Sequence, residues 1–114
     1  MVLRFREEEA SLSANGTESL VFDVPEGKTF EIRAIAYSST GAFKITSMEN
    51  KGTGDQHVIG SLYSEMLKMN AGNVFDLTKL GLTITVAGSK LEVKVQDISG
   101  SANTVRLCLI GEER

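Results

Sequence analysis

The chain has 114 residues, one cysteine, one histidine and a net charge of −3 from 12 basic and 15 acidic side chains. That length suits one domain with one core, the lone cysteine rules out an intrachain disulfide, and the mild acidity gives no electrostatic footprint for nucleic acid. No apolar run approaches the roughly 18 residues that cross a bilayer, and Met1 to Ala10 carries Glu7, Glu8 and Glu9 where a signal peptide has an apolar stretch, so the reading is a soluble, non-secreted product with no membrane partner. In chain order, the N-terminal arm alternates Val2, Arg4 and Arg6 against Leu3, Phe5 and Glu7. It reads either as a first strand of the sheet or as an arm that docks on a neighbour by strand addition. Glu7, Glu8 and Glu9 alternate faces on a strand and read as a solvated edge that resists sheet-to-sheet aggregation.

Leu20, Phe22 and Val24 form the next period-two set. Parity favours a three-residue loop, Ala14-Asn15-Gly16, joining this strand to the first as a hairpin with Gly16 in the left-handed position. That loop puts Ala10, Leu12, Leu20, Phe22 and Val24 on one face. Asn15-Gly16-Thr17 also matches a glycosylation sequon and is read as turn chemistry. Pro25-Glu26-Gly27 is a second turn, with proline fixing φ and glycine accepting a positive φ. Phe30, Ile32, Ala34 and Ala36 then share a core face, which leaves Ile35 and Tyr37 on the opposite, wet face. An apolar pair there calls for a contact with the second sheet, a subunit or a partner. Phe43 and Ile45 follow.

Asn50 to Gly72 is the weakly patterned zone, with Lys51 to Asp55 a loop and a strand placed near Val58. Ser61 to Met69 reads as one or two helical turns with Leu62, Met66 and Met69 on a stripe, or as an irregular strand followed by a loop. No C-cap precedes Asn70-Ala71-Gly72. A short strand at Val74 to Leu77 precedes the set Leu82, Ile84 and Val86. Gly88-Ser89 is either a two-residue hairpin or a switch between sheets. Leu91, Val93 and Val95 alternate with charged residues, and Ile98 to Thr104 is a solvated loop before Val105, Leu107 and Leu109. The sum is a single domain, residues 1–114: an all-β antiparallel sandwich of jelly-roll type, with eight core strands plus an N-terminal strand.

No residue set for catalysis accompanies these strands. His57 is alone in a polar loop, and one histidine with one cysteine cannot complete a zinc site. Cys108 lies on the polar phase of the last strand, where Arg106 is the one basic neighbour able to lower its pKa. Asp23, Glu26 and Asp76 are scattered near turns, and Gly52-Thr53-Gly54 lacks the Lys-Ser/Thr ending of a phosphate loop. The reading is no catalytic residue, no metal and no cofactor.

Val24 to Phe30, Phe75-Asp76-Leu77 running into Leu82 to Leu91 through Ala87-Gly88-Ser89, and Ser99 to Arg106 leading to Ile110-Gly111 form a strand-and-turn order. This order resembles small jelly-roll structural proteins of tailed bacteriophages, including capsid decoration and other virion accessory proteins. The likeness spans most of Leu20 to Gly111 and is blank over Asn50 to Gly72. It implies a non-enzymatic virion structural protein, assembled in the host cytoplasm, that binds the major capsid protein or another virion protein and stabilises the lattice as a homo-oligomer, commonly a trimer. Val2, Leu3, Arg4 and Phe5 of the arm, with Ile35 and Tyr37, are the expected partner or subunit contacts. The alternative is a carbohydrate- or receptor-binding sandwich, against which the absence of tryptophan counts. A cupin-type enzyme needs several histidines around a metal.

Overall fold

Alternation of apolar and polar side chains over short stretches produces strands with one greasy face, and two such layers must cover one another. The computed structural model describes residues 1–68 and 72–114, and among these are nine strands in that arrangement. They are β1 (Val2–Leu12), β2 (Thr17–Asp23), β3 (Thr29–Ser39), β4 (Phe43–Asn50), β5 (Leu62–Tyr63), β6 (Val74–Asp76), β7 (Ile84–Ala87), β8 (Lys90–Asp97) and β9 (Asn103–Glu113). The first sheet runs β1-β9-β3, with β6 and β7 both paired to the far side of β3. The second runs β2-β8-β4-β5. Every pairing is antiparallel. If β6 and β7 count as one strand interrupted by the 3₁₀ turn Leu77–Leu80, this is an eight-stranded jelly roll, with β1 as a full edge strand of the first sheet.

Between the sheets lie side chains from both layers, among them Phe22, Phe30, Phe43, Ile45, Val93 and Leu107, each at most 2 % exposed. Cross-strand neighbours on the inner faces are apolar pairs such as Leu20 with Val93 and Ile45 with Val95.

Several expectations change in three dimensions. The Ala14–Gly16 segment is not a hairpin loop: β1 pairs β9 and β2 pairs β8, so the chain crosses there from one sheet to the other. Asn15, not Gly16, takes the left-handed conformation at φ 58°. Gly16 is closely packed on Ser13: an added Cβ would sit 3.1 Å from the Ser13 carbonyl oxygen and would displace the Ser13 hydroxyl. The parity argument nevertheless finds the right buried set, because Ala10, Leu12, Leu20, Phe22 and Val24 all enter the core, from opposite layers. Pro25-Glu26-Gly27 turns as expected, with Gly27 at φ 82° and Lys28 N–H donating to the Pro25 carbonyl at 3.0 Å. Gly88 is the switch point between β7 in the first sheet and β8 in the second.

The strand expected near Val58 lies instead at Leu62–Tyr63, followed by a 3₁₀ turn over Ser64–Leu67. Leu67 is the residue of that turn that reaches the core, while Met66 is 51 % exposed. The Met69 part of the stripe, with Asn70 and Ala71, lies outside the described residues. Leu82 is exposed, and its strand begins at Ile84.

The largest correction concerns β3. Its register against β9 shifts between Ile32 and Ala34, so Arg33 is an extra residue and the alternation reverses beyond it. Phe30 and Ile32 point inward as expected, but Ala34 and Ala36 are only half-buried, and the inward residues are Ile35 and Tyr37. Gly111, opposite Ile32, permits the bulge: an added Cβ would lie 2.0 Å from the Glu31 carbonyl oxygen. A second register shift, between Ile45 and Ser47 in β4, brings Met48 and Asn50 inward in the same way.

Candidate interaction surface

Ile35 and Tyr37, expected as partner contacts on a wet face, are core residues at 3 % and 8 % exposure. Their apolar neighbour is the second sheet: the Tyr37 ring meets Phe43 edge-on, with centroids 5.3 Å apart. The reversed alternation at Arg33 is the physical reason. Val2, Leu3, Arg4 and Phe5 behave differently. They belong to β1, paired with β9 from Val2 to Leu12, and Val2, Leu3 and Phe5 are 51 %, 62 % and 62 % exposed.

Register places the outward side chains of the first sheet in rows. Phe5, Ile110, Ala34 and Asp76 form one row, and Glu7, Cys108, Ala36 and Val74 form the next. Between the carboxylates of Glu7 and Asp76, at opposite ends of the two rows, the remaining side chains make an apolar band from the exposed ring of Phe5 to the exposed Val74. Beyond Phe5 lies the charged row Leu3, Glu112 and Glu31, where Arg33 reaches Glu112 at 3.2 Å and Glu31 at 3.4 Å, and Arg114 reaches Glu31 at 3.3 Å. On the other side Glu9 pairs with Arg106 at 3.0 Å. A shallow concavity of about 240 Å³ opens between Glu7, Ala36, Ser38, Arg106 and Cys108.

Burial, with the Glu7 carboxylate nearby, pushes the Cys108 thiol pKa up, away from the thiolate form. Arg106, the expected activator, is engaged by Glu9. His57 sits exposed in its loop, held by a backbone N–H bond to the Met48 carbonyl at 2.8 Å. Asp76 caps the 3₁₀ turn that follows it, accepting from the Thr78 hydroxyl at 2.6 Å and the Thr78 N–H at 3.0 Å, which hold its pKa low. Among the described residues, no group of three or more His, Cys, Asp or Glu is placed to hold a metal.

Two polar clusters position the surface, and sequence reasoning missed both. Glu113, at the end of β9, is buried and paired with Arg6 and with Arg4, the latter at 3.3 Å. Arg6 also donates to the Asp23 carbonyl at 2.9 Å, and its guanidinium lies 5.4 Å from the centre of the Phe30 ring. The Arg6 hydrogen bond and charge hold the Glu113 carboxyl below its ordinary pKa. Arg4 and Arg6 thus clamp the N-terminal strand to the C-terminal one. At the other end of β9, Asp97 accepts from Ser99 Oγ at 2.6 Å, from the Ser99 and Gly100 N–H groups at 3.0 Å each, and from Asn15 N–H at 2.9 Å. These bonds, the Ser99 hydroxyl first, outweigh burial and depress its pKa. Asn103 links that loop to the 40–42 turn, accepting from Gly41 N–H at 3.1 Å and donating to the Gly41 and Ala42 carbonyls and to Asp97. The available signal was phase: carrying the Val105, Leu107, Leu109 alternation back two residues reaches Asn103, and carrying it forward four, through Gly111, reaches Glu113.

No protein-family model matches the chain, and no curated protein matches it in sequence. Among solved structures it is similar to the Drosophila NLP core, whose crystal structure gives insight into pentamer formation and histone binding. The match has 17 % sequence identity, covers 96 % of this chain and 98 % of that chain, and has a TM-score of 0.45. At that identity and TM-score the likeness assigns nothing to this chain.

Proposed function

We propose that this chain is a non-enzymatic structural module that acts by laying the outer surface of its first sheet on another protein. In its most specific form it is a virion accessory or decoration protein that binds a capsid lattice and reinforces it as an oligomer. The supporting observation is the apolar band from Phe5 through Ile110 and Ala34 to Val74, flanked by charged rows: a greasy centre with a polar rim suits a protein partner. The phage specificity comes from the strand-and-turn resemblance. Bridging adjacent capsomers adds interface area that must be lost before the shell expands or bursts, and linked contacts multiply avidity. The test adds purified chain to capsids that lack it. Co-sedimentation and a higher capsid melting temperature are expected, both lost in Phe5→Asp, whose side chain is exposed and outside the core. A chain that neither sediments with the capsids nor raises their melting temperature ends this reading.

A further inference from the structure

The free edge of the first sheet has a charge layout that fits one particular partner, a second copy of the same strand. β1 is bonded to β9 on one side and, among the described residues, to no strand on the other. An eleven-residue edge with Val2, Leu3 and Phe5 exposed is an open template for strand pairing. The remaining edges are poorer templates. β5 has two residues, β6 and β7 are three and four residues broken by a turn, and β2 carries Glu18 and Asp23 with no basic residue to answer them.

Charge along β1 is antisymmetric, with Arg4 and Arg6 in its first half and Glu7, Glu8 and Glu9 in its second. Parallel in-register pairing of two copies sets like charge against like, which is destabilising, whereas antiparallel pairing sets each basic half against an acidic half. A two-fold axis perpendicular to the sheet pairs residues of the same face. Centred on Glu7, it brings together two carboxylates that have no ion pair among the described residues. Centred on Arg6, it brings together two guanidiniums that are each already paired with Glu113 of their own copy, a carboxylate shared with Arg4. This second register also sets Arg4 against Glu8 of the other copy, twice, and Val2 against its Ala10. On the outer face it leaves the two Phe5 rings as diagonal neighbours, within reach of one another.

We propose that β1 pairs antiparallel with β1 of a second copy about a two-fold axis at Arg6, joining two outer sheets into one continuous surface. The assembly unit is then a two-fold pair in place of the trimer implied by the phage resemblance. The pairing requires no capsid, so it stands or falls separately from the lattice-binding function.

The test is light scattering of the full chain at tens of micromolar. The wild type is expected at twice the chain mass. Glu8→Arg, at an exposed side chain with no ion pair among the described residues, sets Arg against Arg4 twice and weakens the pair by at least about ten-fold. The charge swap Arg4→Glu with Glu8→Arg restores it. Because Arg4 also touches Glu113, backbone amide exchange is the second readout: exchange over residues 2–10 slows as concentration rises in the wild type and does not in Glu8→Arg. A monomer, a trimer or larger ring, a dimer indifferent to Glu8→Arg, or concentration-independent exchange in the wild type overturns the pairing.

Discussion

Replacing Gly111 by alanine tests the bulge that decides which side chains of β3 fill the core. The added Cβ would lie 2.0 Å from the Glu31 carbonyl oxygen, 2.8 Å from the Glu31 carbonyl carbon and 3.0 Å from Ile32 Cα, all of them backbone atoms that no rotamer change can move. That is roughly 1 Å or more inside van der Waals contact at the oxygen. One relief is a one-residue slip of β3 that erases the bulge, but it turns Ile35 and Tyr37 to solvent at roughly 1.5–3 kcal/mol each. The cheaper relief is local separation of β3 from β9, which loses two ladder bonds at about 1 kcal/mol each and adds overpacking strain of about 1–3 kcal/mol. The expected loss is about 3–5 kcal/mol, or a melting temperature lower by roughly 12–20 °C for a chain of this length. Urea and thermal unfolding followed by circular dichroism measure it. Gly54→Ala is the control: its added Cβ has nothing within 4 Å, so only the φ of 77° opposes it, at about 1–2 kcal/mol. Gly111→Ala within about 0.5 kcal/mol of wild type refutes the bulge argument.

Three further outcomes follow from the same structure. Ile35→Ala should lower unfolding free energy by about 3 kcal/mol in urea, as for a core residue, where an outward-facing side chain would change it by less than about 0.5 kcal/mol. Asn103→Ala strips hydrogen bonds from Gly41, Ala42 and Asp97 at once. It should cost about 3 kcal/mol and hasten proteolysis near Gly100, and an unchanged cleavage rate would argue against its role in holding that loop. Asp97 and Glu113 both have folded pKa values below their unfolded ones, so their stabilisation is fully present above the unfolded carboxylate range and is lost as pH falls through the depressed folded values. The urea midpoint should be flat down to about pH 5 and fall below about pH 4. Asp97→Asn and Glu113→Gln should start less stable at neutral pH and lose less on acidification, and an acid loss equal to wild type would contradict the assignment.

What the chain order alone determined is the layer architecture. Period-two alternation in β8 and β9 needs no partner to be read, because successive side chains on any strand take opposite faces. The buried set Ala10, Leu12, Leu20, Phe22 and Val24 was legible for the same reason, although the loop joining its halves was not. Tertiary structure decided what depends on residues far apart in the chain. Whether Gly88 turns within a sheet or switches sheets rests on whether β3 or β8 takes β7 as a neighbour. The bulge at Arg33 rests on the missing side chain of Gly111, and it carries Ile35 and Tyr37 from the expected surface into the core. Its trace is visible within β3, where the bulky residues change phase between Ile32 and Ile35, but a change of phase is a question that only the opposing strand can answer. The outer band and the clamp of Arg4 and Arg6 on Glu113 likewise exist only because the first and last strands lie side by side.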